Sequence, residues 1–181
     1  MGPILDAAPR EYAALLQHLL PSEFPVREEA AFAFARPSAG GRFQIVDWFL
    51  VPPEGYAAGS GVYLELADET RAGVIKRAHD LGASLIEFHS HPFPGGAAFS
   101  GIDLDGLAEF VPHVRWRLRG RPYFAVVVSP TGYDALAWTG TGAAAETLGG
   151  FSVGERMLKP SGRSLEVWRS GYGDESIRAE H

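Results

Sequence analysis

Two histidines stand one residue apart in the segment His89–Pro92, and a serine and an aspartate follow at positions 100 and 103 after a glycine-rich loop. The chain has only six histidines, so this pairing calls for a chemical explanation. Imidazole nitrogens and carboxylate oxygens are zinc ligands, and a catalytic zinc site uses three protein ligands and leaves one position to water. His89 and His91 are therefore candidate ligands of one metal ion, and Asp103 is a candidate for the third ligand.

The elements around these residues decide whether they can meet. Residues 83–92 have the composition of a strand, and side chains alternate along a strand, so His89 and His91 point to the same face. Residues 99–114 are predicted as the next helix, with Asp103 in its first turn. A structural interpretation stays open here, because Ser100 and Asp103 also fit a capping box and the histidines could simply bond to backbone.

The remaining pattern predicts the scaffold. We expect helices at residues 9–20 and 68–82, and strands at 28–37 (ended by Pro37), 42–52, 62–67, 123–130, 133–140, 151–160 and 164–170, with a loop at 52–61. This order favours an α/β fold in which a mixed sheet is flanked by helices. We assign residues 1–140 to the main domain and residues 141–181 to a C-terminal extension of that domain, ending in a loose tail.

Composition narrows the function classes. The chain has 181 residues, 46% of them hydrophobic, and no cysteine, which excludes disulfides, thiol nucleophiles and cysteine-based zinc sites. The absence of cysteine fits a cytoplasmic protein. A net charge of −6 disfavours a nucleic-acid partner. No apolar run predicts a membrane span, and the N-terminus shows no secretory signal.

Taken together, the segment H-S-H-P at 89–92 and S-x-x-D at 100–103 resemble the signature of the JAMM (MPN-domain) metallopeptidases. The resemblance implies an MPN fold, similar to that of cytidine deaminases, and Zn²⁺ bound by His89, His91 and Asp103. It implies that Ser100 donates a hydrogen bond to the developing oxyanion. The loop between the second histidine and the aspartate is one residue longer here than in the best-known members, so we expect its shape to differ from theirs.

The family also requires a general base on an upstream strand, and the segment from Glu28 fits that place. Family members usually carry glycine three and seven residues after the base, and Glu28 puts the small residues Ala31 and Ala35 there. Counting from Glu29 puts large residues at both positions, so Glu29 is the second choice. Glu87 is a rival, because it shares a strand face with the first histidine and could act as base or orient that histidine.

By resemblance, the protein is a prokaryotic, deubiquitinase-like isopeptidase. It would cleave the bond after the C-terminal glycine of a ubiquitin-like protein, and its partners would be that tail, its conjugates and the associated activating and conjugating enzymes. Two alternatives stay open: a peptidase that processes a ubiquitin-fold sulfur carrier, and a non-catalytic MPN scaffold, which the intact motif disfavours. Residues 52–66 are expected beside the substrate tail, as an added strand or a plain loop. The basic run 115–121 is interpreted as a solvated turn or a contact for an acidic partner.

Overall fold

A computed structural model of the protein describes residues 1–60, 63–142 and 144–173. The strands are β1 Ile4–Ala7, β2 Ala30–Ser38, β3 Arg42–Leu50, β4 Tyr56–Gly59, β5 Leu64–Leu66, β6 Ser84–Ser90, β7 Tyr123–Ser129, β8 Gly132–Trp138, β9 Gly150–Val153 and β10 Arg156–Leu158. The helices are α1 Pro9–Leu19, α2 Asp68–Leu81, α3 Gly101–Arg117 and α4 Arg163–Gly171, with short 3-10 turns at Ala39–Gly41 and Pro53–Gly55.

Eight of these strands form one mixed sheet in the order β10-β9-β1-β3-β2-β6-β7-β8, and β4 and β5 form a separate antiparallel hairpin. Strand β2 lies antiparallel between β3 and β6, and β6 runs parallel to β7. At the other end, β1 is parallel to both β3 and β9. The α/β prediction with a mixed sheet is therefore confirmed.

Both faces of the sheet are covered, because the central strand β2 buries side chains on each side. Its residues Ala31, Ala33 and Ala35 pack in the cluster that contains Leu15 and Leu19 of α1. Its phenylalanines Phe32 and Phe34 pack in the second cluster, with residues of α2, α3 and α4. Alternation of side chains along a strand produces this division, and it places α3 on the face that carries the candidate site.

The predicted helices at 9–20, 68–82 and 99–114 all exist, although α3 continues through Pro112 to Arg117. Strand β2 runs through Pro37 rather than ending there. Beyond Ala35, β2 is paired only with β3, and a strand that has lost one neighbour tolerates proline. The predicted loop 52–61 contains β4, and the predicted strand 62–67 is shorter, at β5.

The prediction of a strand at 164–170 is wrong, because this segment forms helix α4. The helix packs Trp168 into the core, with Leu165 beside it, so the three-residue spacing of apolar residues outweighs their strand-like composition. Its N-terminus is held by the buried Asp134 of β8, whose carboxylate accepts the backbone N–H groups of Gly162 and Ser164 at 2.9 and 2.8 Å and that of its neighbour Ala135 at 2.9 Å. The predicted strand at 151–160 is two short strands, β9 and β10, and the tail from residue 174 lies outside the described residues.

Among the helices of the described residues, none has the length and apolar character needed to cross a membrane.

Candidate metal centre

The three predicted ligands meet at one point, where β6 ends and α3 begins. His89 Nε2 and His91 Nε2 are 3.3 Å apart, and Asp103 Oδ2 lies 3.3 Å from the first and 3.1 Å from the second. His91 follows the last residue of β6, and its backbone N–H still donates to the carbonyl of Val128 in β7 at 2.8 Å. This bond extends the sheet by one residue and keeps both imidazoles on the same side.

These distances match a tetrahedral zinc site. Ligand atoms placed tetrahedrally about 2.0–2.1 Å from zinc lie roughly 3.3 Å from one another. The three measured separations of 3.1–3.3 Å are the edges of one face of such a tetrahedron. The group formed by His89, His91 and Asp103 could therefore hold a metal ion.

Asp103 belongs to the capping box as well as to the ligand group. The backbone N–H of Ser100 donates to Asp103 Oδ2 at 2.7 Å, and the N–H of Asp103 donates to the Ser100 hydroxyl at 3.2 Å. The predicted capping box is thus confirmed, but it does not compete with metal binding, because the two histidine rings face Asp103 and not the backbone. The cap fixes the rotamer that carries the carboxylate to the two histidines.

The positive charge of the histidines and the negative charge of Asp103 stabilise each other. Burial works against the charged forms, yet the hydrogen bond and charge of Asp103 raise the pKa of His89 above its ordinary value. The two histidines in turn hold the pKa of Asp103 far below its ordinary range, against the effect of burial. Without a metal, His89 thus holds a proton more readily than an ordinary histidine. A metal ion must displace that proton, so metal affinity should fall as the pH falls.

Glu28 lies directly beside the ligand group. Its Oε1 is 3.9 Å from His91 Nε2, and the residue is only 8% exposed. Burial raises the pKa of Glu28, although the charges of the two histidines oppose the shift. The backbone N–H of Glu28 donates to the carbonyl of Ser60 at 2.9 Å, which ties this position to the end of the β4–β5 hairpin.

Glu29 takes a different set of partners, although it is just as buried. Its carboxylate accepts hydrogen bonds from Arg27 Nε at 2.8 Å and from the hydroxyl of Tyr56 at 2.7 Å. Its backbone N–H donates to the hydroxyl of Ser90 at 2.9 Å. Of the two adjacent glutamates, Glu28 is therefore the one that the structure brings to the histidines.

Glu87 is also close to the site, but it is engaged by another residue. It lies on the face of β6 that carries the first histidine, and its carboxylate accepts a hydrogen bond from the hydroxyl of Tyr123. Burial raises the pKa of Glu87. Both Glu28 and Glu87 line a cleft of about 350 Å³ in front of the ligand group.

The cleft has a sheet floor and two walls. Its floor is β2 and β6, one wall is α3, and the other is formed by β5 with Arg71 of α2. Ile102, which is 71% exposed, lies at the rim beside the ligand Asp103. An open cleft of this kind beside the ligand group is a candidate binding site.

The hydrogen-bond network behind Glu28 was missed by the sequence reasoning. Tyr56 stands in a Pro/Gly-rich segment, and nothing in its spacing links it to Glu29. The position of Ser90 did carry a signal. A serine between two histidines on one face must point to the opposite face of the strand. There its hydroxyl accepts the backbone N–H of Glu29, just before β2.

The chain matches no model of a known protein family, and no curated protein matches it either. What the fold and the site define by themselves is an α/β protein whose two histidines and one aspartate could hold a metal ion.

Proposed function

We propose that this protein is a zinc-dependent hydrolase of the JAMM type, with an MPN fold, acting as an isopeptidase on a ubiquitin-like protein in the cytoplasm. The observation that carries the proposal is the spacing of the three ligand atoms, at 3.1–3.3 Å, with the carboxylate of Glu28 3.9 Å from the nearest of them. A structural zinc site has four protein ligands. Three ligands with a buried carboxylate alongside favour a catalytic site.

Bound zinc supplies a Lewis acid that polarises a carbonyl and lowers the pKa of a water molecule to about 7. Glu28 is the general base in this proposal: it takes the proton of the attacking water and returns it to the leaving amine. Its burial suits the first role, because a carboxylate with a raised pKa takes up a proton more readily than an exposed one and then holds that proton beside the leaving amine.

Ser100 stabilises the developing oxyanion in this proposal. Its oxygen accepts the N–H of Asp103, and in the described residues its hydroxyl acts only as an acceptor. A hydroxyl that accepts one bond keeps its own proton to donate. Ser100 is exposed and lines the cleft, so that proton can reach a substrate oxygen.

The substrate proposed for the cleft is the extended C-terminal tail of a ubiquitin-like protein, with the bond after its last glycine at the metal centre. Strand β5 pairs with β4 on one side only, in a two-stranded sheet, and residues 63–66 line the cleft. An extended peptide can pair with such an edge and add a strand. The conjugates of this modifier, and the enzymes that activate and conjugate it, are the proposed partners.

The tail of a ubiquitin-fold sulfur carrier would fit the same chemistry, since it also ends in an extended glycine-containing segment. A non-catalytic scaffold is disfavoured, because the ligand set and the adjacent carboxylate are both complete. The two enzymatic functions can be distinguished with a panel of fusions to modifiers and to sulfur carriers, because each function predicts cleavage of a different fusion.

The first experiment measures zinc per chain in the wild type, in His89→Ala and in the control His79→Ala. His79 is an exposed histidine of α2, so its loss should leave zinc content unchanged. We expect about one zinc per chain in the wild type and in the control, and strong loss in His89→Ala. Cleavage of the fusions should then vanish in Glu28→Gln with zinc retained. A wild-type protein that takes up no zinc when zinc is supplied would refute the proposal.

A further inference from the structure

A second, larger groove of about 710 Å³ runs between helices α2 and α3. Its lining includes the four cationic side chains of Arg71, Lys76, Arg117 and Arg119 and the single acidic side chain of Asp68. Lys76 is paired with Asp80 of the same helix, so the positive charge of the groove rests mainly on the three arginines. The whole chain carries a net charge of −6. A basic groove on an acidic protein marks a localised field that attracts negative charge.

At the C-terminal end of α3, the groove is lined by an exposed tryptophan. Trp116 is 75% exposed, although the chain buries Trp138 and Trp168 almost completely. The guanidinium of Arg117 lies 5.7 Å from the centre of the Trp116 ring. Tryptophan and arginine are the residue types most enriched among the side chains that dominate protein–protein binding.

The turn that follows α3 carries a second unusual feature. Arg119 has a φ of 56°, and among the described residues it is the only one other than glycine with positive φ. Helices usually place glycine in this left-handed conformation, because a side chain there costs free energy. Here the strained position carries a cationic side chain on the groove, and the glycine comes one residue later. Strain retained at one residue points to a role for its side chain.

The groove adjoins the cleft of the metal centre. Arg71 and Phe110 line both, and the Arg71 guanidinium lies 5.1 Å from the centre of the Phe110 ring. The groove and the cleft are therefore neighbours along α3, so a segment bound in the groove would lie next to a substrate bound in the cleft. This proximity argues for an occupant that belongs to the substrate.

We propose that the groove between α2 and α3 docks an acidic segment of the protein that carries the scissile bond, with an apolar residue of that segment packed on Trp116. The proposal rests on the proposed function for the identity of the partner, but the binding itself needs no hydrolysis. Charge complementarity identifies the chemistry of the partner, and the net charge of the chain argues for a short acidic peptide over nucleic acid.

The test uses fluorescence anisotropy with a fluorescein-labelled glutamate-rich peptide that contains one leucine, titrated with the full chain. Controls are the glutamine-for-glutamate version of the peptide and an oligothymidine. We expect binding of the acidic peptide alone, weakening as salt is raised. Trp116→Ala and the double variant Arg117→Glu/Arg119→Glu should each weaken it at least tenfold. The double variant Arg10→Glu/Arg156→Glu, the same charge change at exposed positions of α1 and β10, should retain most of the affinity.

Arg119→Gly separates binding from folding. Glycine relieves the left-handed strain, so this variant should melt at a higher temperature than the wild type while it binds the peptide more weakly. Equal affinity for the neutral peptide, tighter binding of the oligothymidine, or unchanged affinity in Arg117→Glu/Arg119→Glu would each overturn the proposal. If the protein binds the peptide but takes up no zinc, the proposed binding in the groove stands and the proposed hydrolase function is rejected.

Discussion

Tyr56→Phe removes a single hydroxyl that joins the β4–β5 hairpin to the strand behind the metal centre. That hydroxyl donates to Glu29 Oε2 at 2.7 Å and accepts the backbone N–H of Ala30 at 2.7 Å. Burial raises the pKa of Tyr56, so the phenol stays protonated and remains a donor at neutral pH. The substitution leaves a buried N–H without an acceptor and a carboxylate with one donor fewer.

The cost can be worked out from these two contacts. A hydrogen bond to a charged group contributes about 1.5–3 kcal/mol, and one between neutral groups about 0.5–1.5 kcal/mol. The loss of both predicts that Tyr56→Phe lowers the free energy of unfolding by about 2–4 kcal/mol. Tyr133→Phe is the matched control. It loses the bond that the hydroxyl of Tyr133 donates to the carbonyl of Leu158 at 2.7 Å, so its cost should be about 1 kcal/mol.

Urea unfolding of the two variants measures the difference, and a double-mutant cycle with Glu29→Gln isolates the contact between Tyr56 and Glu29. Activity gives the second readout. Glu28, Glu29 and Ala30 are consecutive, so a loosened anchor displaces the proposed base. Because a displacement of about 1 Å can cost on the order of 100-fold in rate, we expect at least a tenfold fall in cleavage, with zinc content unchanged.

If Tyr56→Phe is no more destabilising than Tyr133→Phe, the charged contact contributes nothing and the predicted cost is wrong. Cleavage by Tyr56→Phe that matches the control at equal zinc content would refute the positioning role of the hydroxyl. In that case the hairpin would stabilise the strand without positioning Glu28.

Three further predictions concern single side chains. In the metal-free protein, Glu28→Gln should raise the melting temperature, because burial penalises the charged carboxylate; the gain should be absent below the unfolded pKa, near 4.5, grow as the pH rises from there to the raised folded pKa, and stay constant above it. Scanning calorimetry across that pH range would show no trend if Glu28 were solvated. Asp134→Ala leaves three backbone N–H groups without their acceptor and should destabilise the fold by about 3 kcal/mol, measured by urea unfolding; a cost below about 1 kcal/mol would mean that α4 is held by packing alone. Ser100→Ala removes the cap of α3 and should cost about 1 kcal/mol, with a larger loss of cleavage than of zinc; loss of zinc in proportion to cleavage would assign Ser100 only to holding Asp103.

The ligand group was predictable because its determinants are local. Alternation along one strand fixes the relation between His89 and His91, and a helix cap fixes Asp103. Neither relation needs knowledge of the rest of the fold. The helices at 9–20 and 68–82 were predictable for the same reason, since apolar periodicity and a closing Pro or Gly mark them in the sequence.

The features that escaped prediction depend on distant partners. Strand β1 is four residues long and becomes a strand only because β3 and β9 lie on either side of it. Helix α4 has β-branched and aromatic residues, and its helical state depends on Asp134 and on the core contact of Trp168. The contact between Tyr56 and Glu29 joins segments with no common pattern. Tertiary packing decides such cases, and propensity does not.

The position of β1 has a consequence for the order in which the chain can fold during synthesis. Ile4 pairs with Gly150 and with Arg42, so β1 waits for its neighbour β9 until almost the whole described chain has been translated. The strands that carry the metal centre, from β2 to β8, lie between residues 30 and 138 and pair among themselves. We therefore expect this half of the sheet to close first on the ribosome, and β1 to join β9 and β10 as the last step.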